Sequence, residues 1–487
     1  MHKPFFKVQP PVFRGSAISL YPDFFLRVRI PWAKYLALFG LLLIFNRAGA
    51  QVRSLQQVLE EADSNFPALK AYKADLEAAA YSVRSAKTAW LPSVSAQHQY
   101  TFSTGNNVDG SFFPNYGTAF APSGGTGPVN IYQGVFGSFT SVTADWQFFN
   151  FGKVKAAVKA AESVSGEREA AYANALFQHQ VRVADAYLAL LVGQKITEVR
   201  SHIVDRTLTL KRVVDAAVRS GIKAPVDTAL VNATVAGAGI SLVDARRSVR
   251  FYQMRLAELT GTPYDSLRAD SLRLFNLLPS TPERSRTAET HPLLLLSEAE
   301  RNRLALQAAS TQKSWLPSIS LVGYGFARGS GNSNQDGTRY TDFAHGARYQ
   351  VYNYLFGLST RWNVTDIVRL RYNYKADLYQ VEKAGYLLEN MRLKLATEAK
   401  DADTQLDLSL QQARLTPVQL EAARRAYRQT RARYESGLTD LTTLTQSITL
   451  LNQAEIDHYV STGNAWRSLL MKAAASGDLS LFLDQVQ

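Results

Sequence analysis

Four short stretches of the chain alternate polar and apolar residues, which is the pattern of a β-strand with one polar and one apolar face. The first runs from 93 to 102, and a polar, glycine-rich segment at 105–134 separates it from the second, around 141–148. The third follows Trp315-Leu316-Pro317, and the fourth runs from 350 to 362. The aromatic residues of the apolar faces are Tyr100, Phe102, Trp146, Phe148, Tyr352, Tyr354, Phe356 and Trp362. Such a face is typical of a strand that contacts lipid.

Two much longer stretches have helical composition and almost no proline. They run from about Lys153 to Arg219 and from about Ile367 to Glu435, where Pro417 is the one proline. At 1.5 Å per residue, each predicts a helix of roughly 100 Å, far longer than the mean helix of globular proteins. A helix of about 35 residues follows each, and another from about Leu55 to Lys87 precedes the first strand. A seven-residue apolar repeat predicts a coiled-coil seam at Val381, Leu388, Leu395 and Ala402.

The second half of the chain repeats the first in the same order. Trp90-Leu91-Pro92-Ser93 returns as Trp315-Leu316-Pro317-Ser318, displaced by 225 positions, as does Phe66-Pro67 as His291-Pro292. Ser220-Gly221 returns as Ser436-Gly437, displaced by 216, and Trp146 returns as Trp362. These matches predict an internal duplication in which each half has a helix, two strands, a very long helix, a tight turn and a further helix. The period is far above the length of a solenoid repeat.

The tight turn in each half has the composition of a helical hairpin. A glycine stands where a left-handed residue ends the long helix, and an aspartate stands where a side chain caps the next one. The turns comprise Gly221, Lys223, Pro225, Asp227, Gly437, Thr439 and Asp440. We expect both Asp227 and Asp440 to act as helix caps. Hairpin structure alone is enough to explain all of these residues.

An apolar run near the N-terminus has the features of a secretion signal. Arg27, Arg29 and Lys34 precede the apolar run 35–45, and Ala48-Gly49-Ala50 follows it. Eleven apolar residues match a signal-peptide core and fall short of the roughly 20 that span a bilayer. We therefore predict cleavage after Ala50, with a single anchoring helix as the alternative. The predicted domains are a signal peptide with an N-terminal extension at 1–50, a first repeat at 51–288, a second repeat at 289–475 and a C-terminal tail at 476–487.

Composition and charge exclude several classes of function. The chain has no cysteine, which excludes disulfides, cysteine-ligated metals and cysteine nucleophiles. Its seven histidines form no catalytic or metal-binding spacing, so neither an enzyme nor a cofactor is expected. The net charge of +13 falls to +7 without residues 1–50, and basic residues alternate with acidic ones along the helices. No nucleic-acid partner is therefore predicted.

The signal peptide, the duplicated starts at Pro67 and Pro292 and at Trp90 and Trp315, and the paired Ser-Gly turns together resemble the TolC family of outer-membrane efflux proteins. The resemblance covers about residues 54 to 475. It implies an α+β membrane protein: a trimeric 12-stranded outer-membrane β-barrel with four strands per chain, continued by a long α-helical periplasmic barrel, and internally duplicated. Four strands alone are too few, since the smallest membrane barrels need about eight.

The resemblance also implies a function, a location and partners. The expected function is an exit duct of a tripartite efflux or type I secretion system in a Gram-negative outer membrane, which passively conducts substrates to the exterior. The expected partners are further copies in a homotrimer, a periplasmic adaptor protein, an inner-membrane transporter and outer-membrane lipid. The adaptor is expected to dock on the turns around Gly221 and Gly437. The alternative is a periplasmic coiled-coil spacer without a pore, against which the amphipathic strands argue.

One region departs from the family's pattern. Relatives often have acidic residues at the sixth and ninth positions after the glycine of the second turn, near the periplasmic constriction. Here these positions hold Thr443 and Gln446, whereas the sixth position after the first glycine holds Asp227. The resemblance therefore places the constriction at Thr443 and Gln446 but predicts no carboxylate ring there. A weak preference for cations is the expected consequence.

Overall fold

The computed structural model describes residues 52–106, 127–263, 268–269, 274–281 and 288–486. The predicted signal peptide, its cleavage point and most of the first polar loop lie outside these residues. The described chain consists of long helices and one four-stranded sheet, with a separate pair of very short strands.

Helices account for most of the described chain. In the first half, α1 spans Leu55–Asn65, α2 Pro67–Lys87, α3 Lys153–Arg219 and α4 Pro225–Thr260. In the second half, α5 spans Pro292–Lys313, α6 Phe343–Ala347, α7 Asp366–Glu435, α8 Leu441–Ser476 and α9 Ser480–Val486. Single turns of 3₁₀-helix occur at Thr88–Trp90 and Ala288–Thr290.

The two very long helices agree with the sequence pattern. α3 has 67 residues and α7 has 70, and their bounds fall within a residue of those predicted. Pro417 lies inside α7 without ending it. Because proline has no N–H, the carbonyl of Ala413 loses its usual donor, and the hydroxyl of Thr416 donates to that carbonyl at 3.3 Å. The predicted seam is buried at Leu388, Leu395 and Ala402, where the two leucines pack with Leu294 of α5.

The single helix predicted from Leu55 to Lys87 is wrong, because the structure has two helices there. α1 ends at Asn65, α2 begins at Pro67, and Phe66 between them is extended. Proline fits the first position of a helix but disfavours helical geometry in the residue before it. His291 precedes Pro292 in the same extended conformation at the start of α5. The break therefore belongs to the duplicated design.

Four strands form one antiparallel sheet. Strand β2 spans Ser93–Ser103, β3 Val135–Phe149, β5 Ser318–Ser330 and β6 Tyr349–Arg361, and they lie in the order β2-β3-β5-β6. Strands β1 (Val52–Arg53) and β4 (Arg268–Ala269) form the separate parallel pair. Within the described chain, β2 and β6 are edge strands, each with one unpaired side.

The helices lie side by side in a layer that continues from the sheet. Near the sheet, successive neighbours are α2, α3, α5 and α7. Further from it, successive neighbours are α4, α3, α8 and α7. Among the described residues, the layer is therefore open on both sides. Helix α7 forms one edge along its whole length, and α2 and then α4 form the other.

The ends of the helices recur in the two halves at the displacements that the duplication predicts. Pro67 and Pro292, which begin α2 and α5, are 225 positions apart, and the ends of α3 and α7 are 216 apart. The glycines that follow α4 and α8, Gly261 and Gly477, are left-handed with φ of 67° and 72°. The two halves thus share backbone details as well as element order.

The main hydrophobic core lies where α1, α9 and the segment after β4 pack on α3 and α8. The indole N–H of Trp466 donates to the carbonyl of Leu274 at 2.7 Å, and its ring meets that of Phe482 edge-on. Phe482 is fully buried. The stretch predicted as a C-terminal tail, 476–487, therefore contains a helix that is packed into the core.

Among the described residues, α4 is the one helix that is long and apolar enough, by length and composition alone, to cross a membrane. Its most apolar 18-residue window has a mean hydropathy of 1.5, and 6% of that window is buried. Ile240 and Val243 in this helix are 65% and 61% exposed. One such helix is weak evidence for a membrane span, but the exposed apolar surface requires an explanation.

Candidate functional site

The two hairpin tips have the same backbone geometry. Gly221 and Gly437 are left-handed, with φ of 73° and 77°, as predicted from the sequence. The N–H after each glycine donates to a carbonyl five residues earlier, from Ile222 to Ala217 at 3.0 Å and from Leu438 to Arg433 at 2.8 Å. This is the hydrogen-bond pattern of a Schellman motif, which satisfies carbonyls at the end of a helix. Both tips are thus compact, hydrogen-bonded turns.

The helices that leave the two tips begin differently. Asp440 caps α8, because its Oδ1 accepts from the N–H of Thr443 at 2.8 Å. The cap predicted at Asp227 is wrong: α4 begins at Pro225, its N-cap is Ala224, and no side chain bonds to the helix start. A proline at the first position already fixes the backbone and presents no N–H to satisfy. Asp227 therefore lies in the first turn, where its charge is favourable near the helix N-terminus.

One hydrophobic cluster joins the two tips. Its buried members come from α3, α4, α7 and α8, and they are Val214, Val231, Tyr434, Leu441, Leu444 and Ile448. The Nζ atom of Lys223 lies 4.9 Å from the centre of the Tyr434 ring, in a cation–π contact between the tips. Because all four helices contribute to one cluster, the two hairpins of a chain form a single unit at this end.

The hydroxyl of Tyr434 is buried and has no hydrogen-bond partner among the described residues. Burial raises the pKa of Tyr434, and the charge of Asp227 raises it further. The pKa of Asp440 moves the other way, because the hydroxyl and the N–H of Thr443 stabilise its carboxylate, with a smaller effect from Lys223. The tips therefore keep Tyr434 neutral and Asp440 charged near neutral pH.

An ion pair links the two hairpins above the tips. Arg206 of α3 donates to both carboxylate oxygens of Glu455 on α8, at 2.9 and 3.0 Å, and to Oδ1 of Asn452 at 2.7 Å. The side chains of Arg206 and Glu455 are only 19% and 14% exposed. The sequence contains no local signal for this pair, since its members are 249 positions apart. A second pair, Arg467 with Asp185, joins the same helices at 2.6 and 3.1 Å.

A groove of about 380 Å³ opens beside this ion pair, between α3 and the α7–α8 hairpin. Apolar residues of the tip cluster form its floor, including Leu444 and Ile448. Charged and aromatic residues line the rest of it, namely Asp205, Arg206, Tyr427, Arg431 and Glu435. Such a surface offers both apolar area and polar groups to a docking partner.

Thr443 and Gln446, the predicted constriction residues, lie on an exposed side of α8. Both are exposed, whereas Leu444 and Ile448 between and beyond them are buried in the tip cluster. Residues three or four apart continue this side of α8 as the exposed Leu450 and Gln453 and the half-buried Asp457, and the exposed Asn464 and Arg467 follow seven and ten positions after Asp457. Few of them are charged, and Arg467 is paired with Asp185. The row is therefore close to neutral.

The strand register places most of the predicted lipid-facing residues on one face of the sheet. Directly opposite residues of an antiparallel ladder share a face. Phe102 pairs with Phe136, Trp146 with Leu321, and Phe356 with Gly323, and Leu321 in turn pairs with Leu358. Tyr352, Tyr354 and Phe356 on this face are 72%, 82% and 78% exposed. An exposed aromatic face of this size requires an apolar environment.

Two tryptophans anchor the end of the sheet that adjoins the helices. The indole N–H of Trp146 donates to the carbonyl of Trp90, and that of Trp362 donates to the carbonyl of Trp315, each at 3.0 Å. These bonds hold each return strand to the start of its partner strand. The matched tryptophans in the two halves are the sequence signal for them.

Two of the predicted lipid-facing residues have special surroundings. Tyr100 is half-buried beneath α6, where its hydroxyl donates to the carbonyl of Phe343 at 2.6 Å and its ring meets that of Phe343. A register shift between Trp146 and Phe149 interrupts the alternation, so that Phe149 rather than Phe148 pairs with Ile319. The sequence alternation alone does not reveal this bulge, and the contact of either residue with lipid stays a prediction.

The described residues contain no group of three or more His, Cys, Asp and Glu placed to hold a metal ion. The functional features are therefore surfaces: the hairpin tips with their groove, the exposed row on α8 and the aromatic face of the sheet.

Solved structures with the same fold are outer-membrane proteins. VceC from Vibrio cholerae matches with a TM-score of 0.70 at 17% identity, covering 87% of this chain and 96% of that one. CusC, described with transmembrane channel formation, matches with a TM-score of 0.72 at 13% identity, covering 87% and 92%. The MtrE outer membrane channel of Neisseria gonorrhoeae, in its open state, matches with a TM-score of 0.68 at 16% identity, covering 87% and 89%. At these identities the likeness shows the fold.

No protein with a curated description is detectably similar in sequence. The family model for outer membrane efflux proteins matches residues 58–262 and 284–469, which are the two halves of the duplication. This match covers most of the chain, so the predicted resemblance to the TolC family and the outer-membrane location are confirmed. The chain belongs to the outer membrane efflux protein family.

Proposed function

We propose that three copies of this chain assemble into one duct, in which each copy contributes four strands to a 12-stranded barrel and its long helices to a tunnel. The observation that carries this proposal is that the sheet and the helix layer are both open on both sides. Unpaired backbone groups at the edges of β2 and β6 would cost several kcal/mol each in hydrocarbon. Neighbouring copies remove that cost by pairing the edges.

The duct serves as the exit of a tripartite efflux or type I secretion system. Substrates pass passively from an inner-membrane transporter, through a periplasmic adaptor and this duct, to the exterior. Helices of roughly 100 Å have the length needed to continue a membrane barrel deep into the periplasm. Relatives of the same fold described as outer-membrane channels, among them OprN and MtrE, support this proposal.

The adaptor docks on the hairpin tips and on the groove beside them. Ile222, Val226 and Leu438 at the tips are 73%, 68% and 70% exposed, although all three are apolar. Compact turns with exposed apolar residues are suited to contact with another protein. The contact residues we propose are those of the two turns: Gly221, Lys223, Pro225, Asp227, Gly437, Thr439 and Asp440.

The periplasmic constriction lies at Thr443 and Gln446. Both residues face away from the tip cluster, on the row of α8 that is close to neutral. Asp227 holds the matched position of the first hairpin, and because it does not cap α4, its carboxylate is free of that bond. Thr443 and Gln446 themselves contribute no carboxylate, so the constriction has no acidic ring of its own.

Native mass spectrometry of the protein purified in detergent tests the assembly. A stable trimer is expected, and a sample that is chiefly monomeric would contradict the proposal. A periplasmic spacer without a pore would instead be recovered in the soluble fraction after cell breakage.

Photo-cross-linking in living cells tests the docking surface. A photoreactive residue in place of Lys223 or Thr439 should trap a periplasmic adaptor, which mass spectrometry can identify. Lys155, which is exposed on α3 near the sheet, provides the matched control and should trap no adaptor. Equal trapping from Lys155 and from the tips would rule out docking at the tips.

A further inference from the structure

Helix α7 carries a row of four residues that pack on no other element among the described residues of their own chain. Asp401, Leu408, Leu415 and Ala422 recur every seven positions and are all exposed. Leu408 and Leu415 are 54% and 69% exposed. A seven-residue repeat places them on one side of the helix. They form an unpartnered row at the free edge of the helix layer.

The duplication identifies the matching row on α3, 216 positions earlier, as Asp185, Val192, Val199 and Arg206. Each member of this row faces α8. Asp185 pairs with Arg467, and Arg206 pairs with Glu455. A Cβ at Gly463 would collide with Val192, and Val199 clusters with Ile456 and Tyr459. The row on α3 is thus the surface by which the first hairpin packs on the second.

Helix α7 is the duplicate of α3. If α7 packs as α3 does, its row must contact the helix that is the duplicate of α8. That helix is α4, but α4 and α7 lie at opposite edges of the layer in one chain. The α4 in question must therefore belong to another copy. The residues of α4 that correspond to Ile456, Tyr459 and Glu455 are Ile240, Val243 and Gly239.

The surfaces paired in this way are chemically matched. This correspondence sets Leu415 on α7 of one copy against Ile240 and Val243 on α4 of the next. All three residues are apolar and more than 60% exposed in the single chain. At the positions that match Arg206 and Glu455 of the ion pair, this second seam has Ala422 and Gly239. Two small residues therefore face each other there. This packing accounts for the exposed apolar window of α4. Burial of that surface favours association.

The upper part of α7 follows the same rule. Tyr372, Tyr379, Tyr386 and Leu393 recur every seven positions and are 67%, 71%, 65% and 66% exposed. The matching row on α3 ends at Phe177, which is buried and lies edge-on to His291 at the start of α5. The counterpart of α5 is α2, which lies at the other edge of the layer. The side of α2 turned away from α3 carries Ala71, Ala74 and Ala78, which leave room for tyrosine rings.

We infer that neighbouring copies join along an apolar seam between α7 of one copy and α4 and α2 of the next. Its residues pair in the same register as those of α3 with α8 and α5 inside each chain. Along this seam, the Leu415 row of α7 packs on Ile240 and Val243 of α4 in the next copy. The tyrosine row of α7 packs on the alanines of α2 in that copy. The inference rests on the proposed trimer and adds the residues that join its copies.

The absence of cysteine allows a direct test by disulfide formation. The variant Leu415→Cys with Val243→Cys should form covalent dimers and trimers on mild oxidation of the purified detergent-solubilised protein. The matched control combines Leu415→Cys with Ala236→Cys, which lies on the same side of α4 but seven residues, or about 10 Å, away. The yield should be several-fold lower in the control, because a disulfide requires close approach of the two backbones.

Native mass spectrometry of the same samples separates the possible failures. Trimers that cross-link better through Ala236→Cys, or through neither pair, would overturn the register and leave the proposed duct standing. A chiefly monomeric sample of the unmodified protein would overturn the duct itself.

A second variant tests the tyrosine row without introduced cysteines. Tyr379→Ala with Tyr386→Ala should make the trimer dissociate at a lower detergent concentration. Tyr132→Ala, which removes an 83% exposed tyrosine outside this row, should not. Equal resistance of the double variant and the control would contradict a role of the row in assembly.

Discussion

The two hairpins of the chain have the same backbone geometry and differ in the side chains by which each packs on its neighbouring helices. Both have a long helix, a left-handed glycine and a 36-residue return helix, displaced by 216 positions. The first hairpin carries Arg206 on the side that meets its neighbour, whereas the second carries Ala422 at the matched position. The comparison teaches that duplication preserved the turn and helix geometry while the contacts between hairpins diverged. One seam is ion-paired, and the other surface is apolar.

The largest expected effect comes from the cluster that joins the two tips. Leu444 is 1% exposed and packs among residues of four helices. Leu444→Ala should destabilise the tip by about 2–5 kcal/mol, through lost burial and the cavity left behind. Hydrogen exchange should show faster amide exchange in both hairpins. Leu438→Ala, at a 70% exposed position, should have little effect. Faster exchange in α8 alone would contradict a shared cluster.

The ion pair between the hairpins should have the next largest effect. Arg206→Ala leaves the largely buried Glu455 without its charged partner, which should cost about 1.5–3 kcal/mol. Hydrogen exchange should increase in α3 and α8 near these positions. A double-mutant cycle with Glu455→Gln isolates the pairwise contribution. Additive effects of the two substitutions would show that the pair does not hold the hairpins together.

Substitution of the tip glycines separates backbone cost from docking. Gly221→Val and Gly437→Val should each cost about 1 kcal/mol or more locally, because both glycines have positive φ. Beyond the adjacent residues, no described atom lies within 4 Å of an added Cβ, so the backbone conformation alone accounts for this cost. Export in cells should fall while the barrel remains inserted in the outer membrane. Loss of export with one substitution but not the other would identify the tip to which the adaptor binds. Unchanged export with both would count against docking at the tips.

The smallest effect is the acid sensitivity of the cap that only the second hairpin has. Thr443 holds the pKa of Asp440 below its ordinary value of 3.8, so the cap contributes stability above that value and loses it as the pH falls through the lower, folded pKa. The protection factor of the Thr443 amide, which corrects for the pH dependence of intrinsic exchange, should therefore fall only in acid. Asp440→Ala should lower that protection factor at every pH, whereas Asp227→Ala should have less effect on amide protection at the start of α4 because Asp227 makes no cap. Equal effects of the two substitutions would contradict this difference between the tips.

The duplication made much of this fold predictable from the sequence. The bounds of α3 and α7 and the glycine turns follow from local composition and from the repeat. The start of α2 at Pro67 was missed although its match with His291-Pro292 was recognised, because the apolar pattern on both sides of Phe66 resembles one continuous helix. The cap at Asp227 was predicted wrongly because Pro225 starts the helix two residues earlier. The bulge near Phe148 and the half-buried position of Tyr100 depend on strand pairing and on packing beneath α6. Pairing over 249 positions likewise hides the link between Arg206 and Glu455 from any local pattern.

Planar-bilayer recording of the purified protein tests the central claim, an assembled duct with a nearly neutral constriction, most directly. The account predicts discrete conductance steps, a weak preference for cations and weak block by multivalent cations, because Thr443 and Gln446 carry no charge. Thr443→Asp with Gln446→Asp should strengthen both the preference and the block, since three copies would bring six added carboxylates together. Strong block of the unmodified protein, or no change in the double variant, would place the constriction elsewhere. No conductance from material that is trimeric by native mass spectrometry would contradict the duct itself.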